Sequence, residues 1–218
     1  GADIADAKTI ILAGCNIRHE MPLLHQRIHQ AVKRGAQVHA INPVDFDFSF
    51  PLKSKAIVPP SQLADSLKRM AETFNADSGT VLILGEIAEN HGNASHIRAV
   101  ATSLQMAGKF SLCRLPQGAN AIGLAGVGVL PKAGGRHADA MLDGSLKSLL
   151  LFGIEPQFDF SATARAAKAL LGSKVVACSA FVTEALMQVA DVILPIGLLP
   201  EIQATLVNVN GNGQVAEA

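Results

Sequence analysis

Short apolar runs closed by glycine or by polar turns alternate along the chain with longer segments whose apolar residues recur every three to four positions. The runs Lys8–Ala13 (KTIILA), Gln37–Ile41, Thr80–Leu84 (TVLIL), Phe110–Cys113, Lys147–Phe152, Lys174–Cys178 and Val192–Leu194 predict strands. Helical spacing predicts a helix from Pro22 to Arg34, with Leu24, Ile28, Ala31 and Val32 on its buried stripe. Further helices are predicted over Gln62–Phe74, over Asn93–Met106, from a Ser161 cap to Leu171, and over Thr183–Val189. Pro22 suits a first helical turn and Gly35 a stop. Strand, glycine turn, helix, glycine and strand in that order make a βαβ unit, which favours parallel pairing through right-handed crossovers. The class is therefore α/β, with mainly parallel sheets and flanking helices.

Three stretches break the pattern. Asn42–Pro60 holds four prolines and the alternation Phe46-Asp47-Phe48-Ser49-Phe50, which reads as an edge strand or as a loop pinned to a neighbour. The polar break Asn75–Gly79 marks the expected boundary between two α/β units, 1–76 and 77–218. Leu115–Gly135 is glycine-rich and reads mostly as loop, and the tail after Pro195 reads as a hairpin.

Composition narrows the picture. The chain has 218 residues, 49% of them hydrophobic but only 4% aromatic, with no Trp and no Tyr, so its core is aliphatic. Eighteen basic residues balance eighteen acidic ones. Such a balance leaves no electrostatic footprint for nucleic acid. The longest apolar run, Leu146–Ile154, contains Lys147 and Ser148 and falls well short of a spanning helix, so direct membrane insertion is not expected. No charged-then-apolar leader opens the sequence, and Gly1 in place of Met reads as the edge of a piece cut from a longer chain. Cys15, Cys113 and Cys178 are widely spaced without a CxxC pair, which predicts reduced thiols and no cluster ligand set.

Candidate chemistry gathers just beyond strand ends. Gly14-Cys15-Asn16-Ile17-Arg18-His19-Glu20 lies where open α/β sheets bind ligands, although it lacks a GxGxxG fingerprint. The alternative is a structural turn with Arg18 and Glu20 paired to each other or to neighbours. His25 and His29 have the i, i+4 spacing that binds zinc. The HExxH order is absent, however, and with His19 they are read as part of a solvated face. Gly85-Glu86 to His91-Gly92-Asn93 is a second loop of this kind, with Asn93 as helix cap. Gly118–Gly128 (GANAIGLAGVG) reads either as a phosphate cradle or as a tightly packing loop. No Ser-His-Asp or Cys-His constellation emerges, so no catalytic residue and no metal ligand is assigned.

The tail carries a resemblance. Ala190–Pro195 (ADVILP), Glu201, and Ala204-Thr205 to Asn208 with Gly211 and Gln214 resemble the molybdopterin oxidoreductase superfamily. Gly14, Asn16, Arg18, Glu20, Pro22, Arg27, Ala31, Gly35 and Ala36, with Asn120-Ala121-Ile122-Gly123, resemble the G-subunit family of bacterial NADH:quinone oxidoreductase, respiratory complex I. The match runs in order along nearly the whole chain. It implies two mainly parallel-sheet, Rossmann-like units from the C-terminal region of a longer subunit. The iron–sulfur clusters of that subunit are expected in its missing N-terminal part, with no cofactor in this chain. The implied role is a scaffold that supports electron transfer from NADH to quinone without chemistry of its own. Its partners would be other subunits of complex I, and its location cytoplasmic and peripheral to the inner membrane. The positions that would face a cofactor are Gly14, Asn16, Arg18, Glu20, Gly85, Asn120, Glu201 and Asn208. At the tail the chain reads Asn210-Gly211-Asn212 where the family has Glu-Gly-Arg, which removes a carboxylate and a guanidinium that a pterin or phosphate uses. Two rival readings follow. One is a fragment of an active molybdopterin-dependent oxidoreductase with a pterin dinucleotide between its halves, and the other a free nucleotide-binding module. If the chain is excised from a larger protein, apolar patches are expected at Phe46, Phe48 and Phe50 and after Pro195.

Overall fold

The computed structural model describes residues 4–73, 79–108, 110–160 and 162–217. The chain forms two compact units, Gly1–Gly118 and Ala119–Ala218. The boundary thus falls after Gly118 and not at the 75–79 break, whose residues 75–78 lie outside the described residues. The reason is strand pairing: the strand that follows the break joins the first strand of the chain in register.

Unit 1 runs β1 (Thr9–Ala13), α1 (Ile17–Glu20), α2 (Pro22–Lys33), β2 (Gln37–Asn42), β3 (Ser54–Ile57), α3 (Leu63–Thr73), β4 (Thr80–Leu84), α4 (Glu86–Asn90), α5 (Ala94–Met106) and β5 (Ser111–Arg114). The sheet order is β3-β2-β1-β4-β5 and every pair is parallel. Alternation decides which side chains meet. Ile10 and Leu12 of β1 and Val81 and Ile83 of β4 pack on one face with Ile17, Leu24, Ile28 and Ala31. Ile11, Leu82 and Leu84 pack on the other face with Leu63, Leu67, Ile97 and Val100. Both faces are therefore covered, as a parallel sheet requires.

The link from β2 to β3 contains no helix. Phe48 and Phe50 are buried in the first of these cores, where their rings stack at 5.6 Å. Of the two readings of 46–50, the loop pinned to a neighbour holds and no edge strand forms there, while the expected apolar patch is absent because Phe48 and Phe50 lie in the core. Burying two such rings stabilises the fold by roughly 1.5–3 kcal/mol each. The edge strand is instead β3, a short segment with Lys55 at its centre. Ser61 lies in a 3-10 turn, Pro60–Gln62, that leads into α3. Asn93 stands at the start of α5, but its side chain makes no capping bond.

Unit 2 runs α6 (Ala121–Gly126), α7 (Ala138–Met141), β6 (Ser148–Phe152), α8 (Pro156–Asp159), α9 (Thr163–Leu171), β7 (Lys174–Ser179), α10 (Glu184–Val189), β8 (Val192–Pro195), β9 (Ala204–Val207) and β10 (Gly213–Ala216). The glycine-rich stretch thus contains the short helix α6. Ser161, expected as a cap, lies outside the described residues. Strands β6, β7 and β8 form a parallel sheet in chain order, and β9 and β10 form the antiparallel hairpin expected of the tail. Two right-handed crossovers in one direction put α9 and α10 on the same face. There Leu151, Val175 and Ala177 pack with Leu170 and Leu186. On the opposite face two cross-strand rows, Leu150–Val176–Val192 and Phe152–Cys178–Leu194, remain largely exposed. No helix among the described residues is long and apolar enough to cross a membrane.

Candidate functional site

The chain moves from β1 to β2 and β3 in one direction, then returns past β1 to β4 and β5 in the other. The topological switch point lies between β1 and β4, and ligands of open α/β sheets bind beyond the strand ends there. The structure brings Gly14, Asn16, Glu20 and Gly85 together at this point. Gly14 N–H donates to the Ile41 carbonyl, and Gly85 N–H to the Ala13 carbonyl, which draws the two loops together. A Cβ on Gly14 would meet Ala88 N at 2.6 Å. One on Gly85 would meet the Cys15 backbone at 2.5 Å and the Glu20 carboxylate at 2.7 Å. These glycines serve contact between loops of the chain itself.

The centre of the crevice is held by Glu20. Its carboxylate accepts from Asn16 N–H at 2.6 Å and from Glu86 N–H, the first residue of α4, at 2.8 Å. A backbone donor at the start of a helix is where a phosphate would dock. Here the chain's own carboxylate occupies that donor. Burial pushes the Glu20 carboxyl up, while the two N–H donors pull it down less strongly. Burial, joined by the Glu20 charge, also pushes the Cys15 thiol well up, so the thiol stays protonated and is a poor nucleophile. The opening beyond Glu20 is a cavity of about 200 Å³ bordered by Met21, Glu86, Leu115 and Gln117.

Sequence reasoning missed two residues that build this region. Asn42 is buried at the end of β2, where its carboxamide accepts from Cys15 N–H at 2.7 Å and donates to the Cys15 carbonyl at 3.3 Å. It therefore grips one residue of the loop at both of its backbone groups. A polar residue closing an apolar strand just before Pro43 was the available signal. Glu89 of α4, with a side chain only 7% exposed, takes a two-point contact from Arg114 at 2.7 and 2.8 Å and a third bond from Arg98 at 3.1 Å. Burial alone would raise its carboxyl, but the two guanidiniums outweigh burial and hold it below the usual range.

Arg18 turns away from Glu20 and pairs with Asp47 at 3.3 Å. Of the two pairings expected of this turn, to each other or to neighbours, the structure shows the second, with Arg18 on Asp47 and Glu20 on the Asn16 and Glu86 N–H groups. His25 is buried and not solvated, and it stacks on Phe50 at a centroid distance of 5.0 Å. Among the described residues no three His, Cys, Asp or Glu side chains gather around a position for a metal ion.

In unit 2, Asn120 and the hairpin come together. The Asn120 carboxamide accepts from Val207 N–H at 2.8 Å and donates to the Thr205 carbonyl at 3.3 Å. Asn208 accepts from Asn210 and Asn212 N–H at 2.9 and 3.0 Å and so shapes the turn between β9 and β10. Glu201 lies in a separate turn and accepts from Leu198 N–H at 2.8 Å. The carboxylates of Glu20 and Glu201 and the carboxamides of Asn120 and Asn208 are thus all engaged by backbone of their own unit. For an anionic dinucleotide this donor set fits poorly, because the crevice of unit 1 presents a carboxylate and its neighbouring guanidiniums are already ion-paired.

Three comparisons complete the picture. A family model described as molybdopterin oxidoreductase matches residues 1–218. No curated protein matches the chain. Among solved structures, CobK precorrin-6A reductase is similar over 86% of this chain and 68% of its own, at 12% identity and a TM-score of 0.33.

Proposed function

The chain belongs to the molybdopterin oxidoreductase family, and on that premise we propose that it is a structural part of the G subunit of an NADH:quinone oxidoreductase, respiratory complex I. Family membership gives an oxidoreductase-related role. The finer reading is a scaffold that supports electron transfer from NADH to quinone without chemistry of its own. Iron–sulfur clusters belong, on this reading, to a preceding part of the parent subunit. The partners are other complex I subunits, and the location is peripheral to the inner membrane on its cytoplasmic side.

The observation that carries this reading is the Glu20 carboxylate seated on Asn16 and Glu86 N–H at the switch point. A pyrophosphate placed there would meet like charge in a half-buried crevice and would have to displace two good hydrogen bonds. The same economy holds in unit 2, where Asn120, Glu201 and Asn208 brace turns and a hairpin. The rival reading, a fragment of an active enzyme that binds a pterin dinucleotide, is favoured by the family match itself.

One experiment separates the two. The chain is expressed in cells supplied with molybdate, purified, and assayed for molybdenum by mass spectrometry and for released pterin by fluorescence after acid oxidation. The scaffold reading expects background levels of both. Stoichiometric pterin, with or without metal, overturns it in favour of the cofactor-binding reading.

A further inference from the structure

We infer that the groove between α3 and the β2–β3 edge of unit 1 binds a small organic carboxylate with an apolar body, a branched aliphatic or aromatic acid, through the guanidinium of Arg69. Two periodicities build the groove. On the strands, His39 of β2 stands opposite Ser54 of β3 in register, and Ala56 follows Ser54 on the same side of the sheet. On the helix, Ser66, Arg69, Met70 and Thr73 recur at the i, i+3, i+4, i+7 spacing of one face. These two rows, with Val58, border a cavity of about 390 Å³. That size falls within the roughly 300–1,000 Å³ of small-ligand sites. None of the residues that build the switch-point crevice borders it.

The lining has an apolar part and a polar part. Ala56, Val58 and Met70 pack against the second core of the sheet but are only partly buried. An apolar group in the groove therefore removes their remaining surface from water. Most of the polar groups are already engaged within the chain. His39 Nδ1 lies 2.7 Å from Ser54 Oγ, and Thr73 Oγ1 donates to the Met70 carbonyl at 2.7 Å. Burial, then Lys53, lowers the proton affinity of His39, so its ring is neutral at neutral pH and the positive charge of the lining is that of Arg69.

Arg69 has donors to spare. One nitrogen of its guanidinium donates to Ser66 Oγ at 3.0 Å, and Ser66 is itself buried, which anchors the fork at the border of the cavity. Among the described residues no carboxylate pairs with it, although Asp65 and Glu72 stand one turn away on the same helix. A guanidinium carries five N–H donors, and a carboxylate accepts two of them in parallel. Charge and lining together thus select one carboxylate on an apolar body.

The test is a titration of the isotope-labelled whole chain with benzoate and with isovalerate, followed by backbone amide shifts. Saturable shifts are expected in α3 and over 54–58, with the amides around Glu20 unmoved. Benzamide keeps the ring and loses the charge, and is expected to bind about ten-fold more weakly than benzoate. Arg69 is exposed, so Arg69→Gln is expected to melt like wild type and to weaken benzoate by a similar factor. Inorganic phosphate, which has the charge without the apolar body, is expected to bind more weakly than benzoate. The absence of saturable shifts with both acids overturns the proposal. So does benzoate affinity that is unchanged in Arg69→Gln or matched by benzamide. Phosphate binding as tight as benzoate also overturns it, because the site would then be a guanidinium that gathers any anion.

Discussion

Unit 1 buries its parallel sheet under a packed layer on each face, whereas unit 2 covers one face of β6-β7-β8 and leaves two apolar cross-strand rows on the other. Both obey the same crossover rule. The difference comes from the direction of travel. Unit 1 reverses at β1, so its crossovers fall on both sides, while unit 2 advances without reversing and its crossover helices fall on one side. A reversal also creates the switch point, so the unit able to cover itself is also the one with a crevice. Unit 1 then fills that crevice with Glu20.

The sharpest way to break this comparison is to truncate equivalent strand residues. Leu82→Ala, at a fully buried position of β4, is expected to cost about 2–5 kcal/mol. Leu150→Ala, at a residue 65% exposed, is expected to stay within roughly 0.5 kcal/mol. Urea unfolding measures both, and a Leu150→Ala loss comparable to that of Leu82→Ala would mean the open face is covered in solution.

A smaller effect is expected at the crevice. Gly85→Ala places a methyl group against the Cys15 backbone and is expected to cost about 1–3 kcal/mol by overpacking. In unit 2, Asn208→Ala removes two turn bonds and is expected to cost about 0.5–1.5 kcal/mol, since both freed N–H groups can turn to water. Thermal melts that rank Asn208→Ala above Gly85→Ala would contradict the closeness of the loops at the switch point.

The smallest effects are in pH dependence, where two carboxylates have opposite signs. The folded value of Glu20 is raised by burial, so the folded state holds a proton that the unfolded chain has released. Its contribution to stability falls as pH rises from the ordinary carboxylate value through that raised value, and Glu20→Gln should remove this slope. Asp191 of unit 2 is held low by Lys174 and by Val175 N–H. Its contribution is present above the ordinary carboxylate value and is lost as pH falls through the lowered one. Asp191→Asn should flatten the acid limb, and stability curves recorded across acid pH check both signs.

The elements that could be read from sequence were those whose apolar pattern is long enough to have a period, such as α2, β1 and β4. What could not be read depended on distant partners. The break at 75–79 looks the same whether it leaves a domain or links two strands of one sheet, and only the register of Thr80 against Thr9 decides. The Phe46–Phe50 alternation has the period of a strand, yet its backbone pairs with none, because the rings and not the main chain make the contacts. Glu20 reads as a turn residue with a partner nearby, but one of its partners, Glu86, is 66 positions away. Asn42 stands out locally as a polar residue closing an apolar strand, but the partner it holds, Cys15, is 27 positions away.

The bonds from Asn120 to Val207 and Thr205 bear on the order in which unit 2 is assembled. They span 87 and 85 positions, and the three-stranded sheet lies within that loop. Closing a flexible loop of that length costs about 4 kcal/mol in chain entropy beyond a constant term. Two carboxamide bonds return only about 1–3 kcal/mol of this. The clasp is thus favourable only after β6, β7 and β8 have condensed and shortened the effective loop. As the chain leaves the ribosome Asn120 emerges early and Val207 late, so the clasp forms last and reports that the sheet behind it has folded.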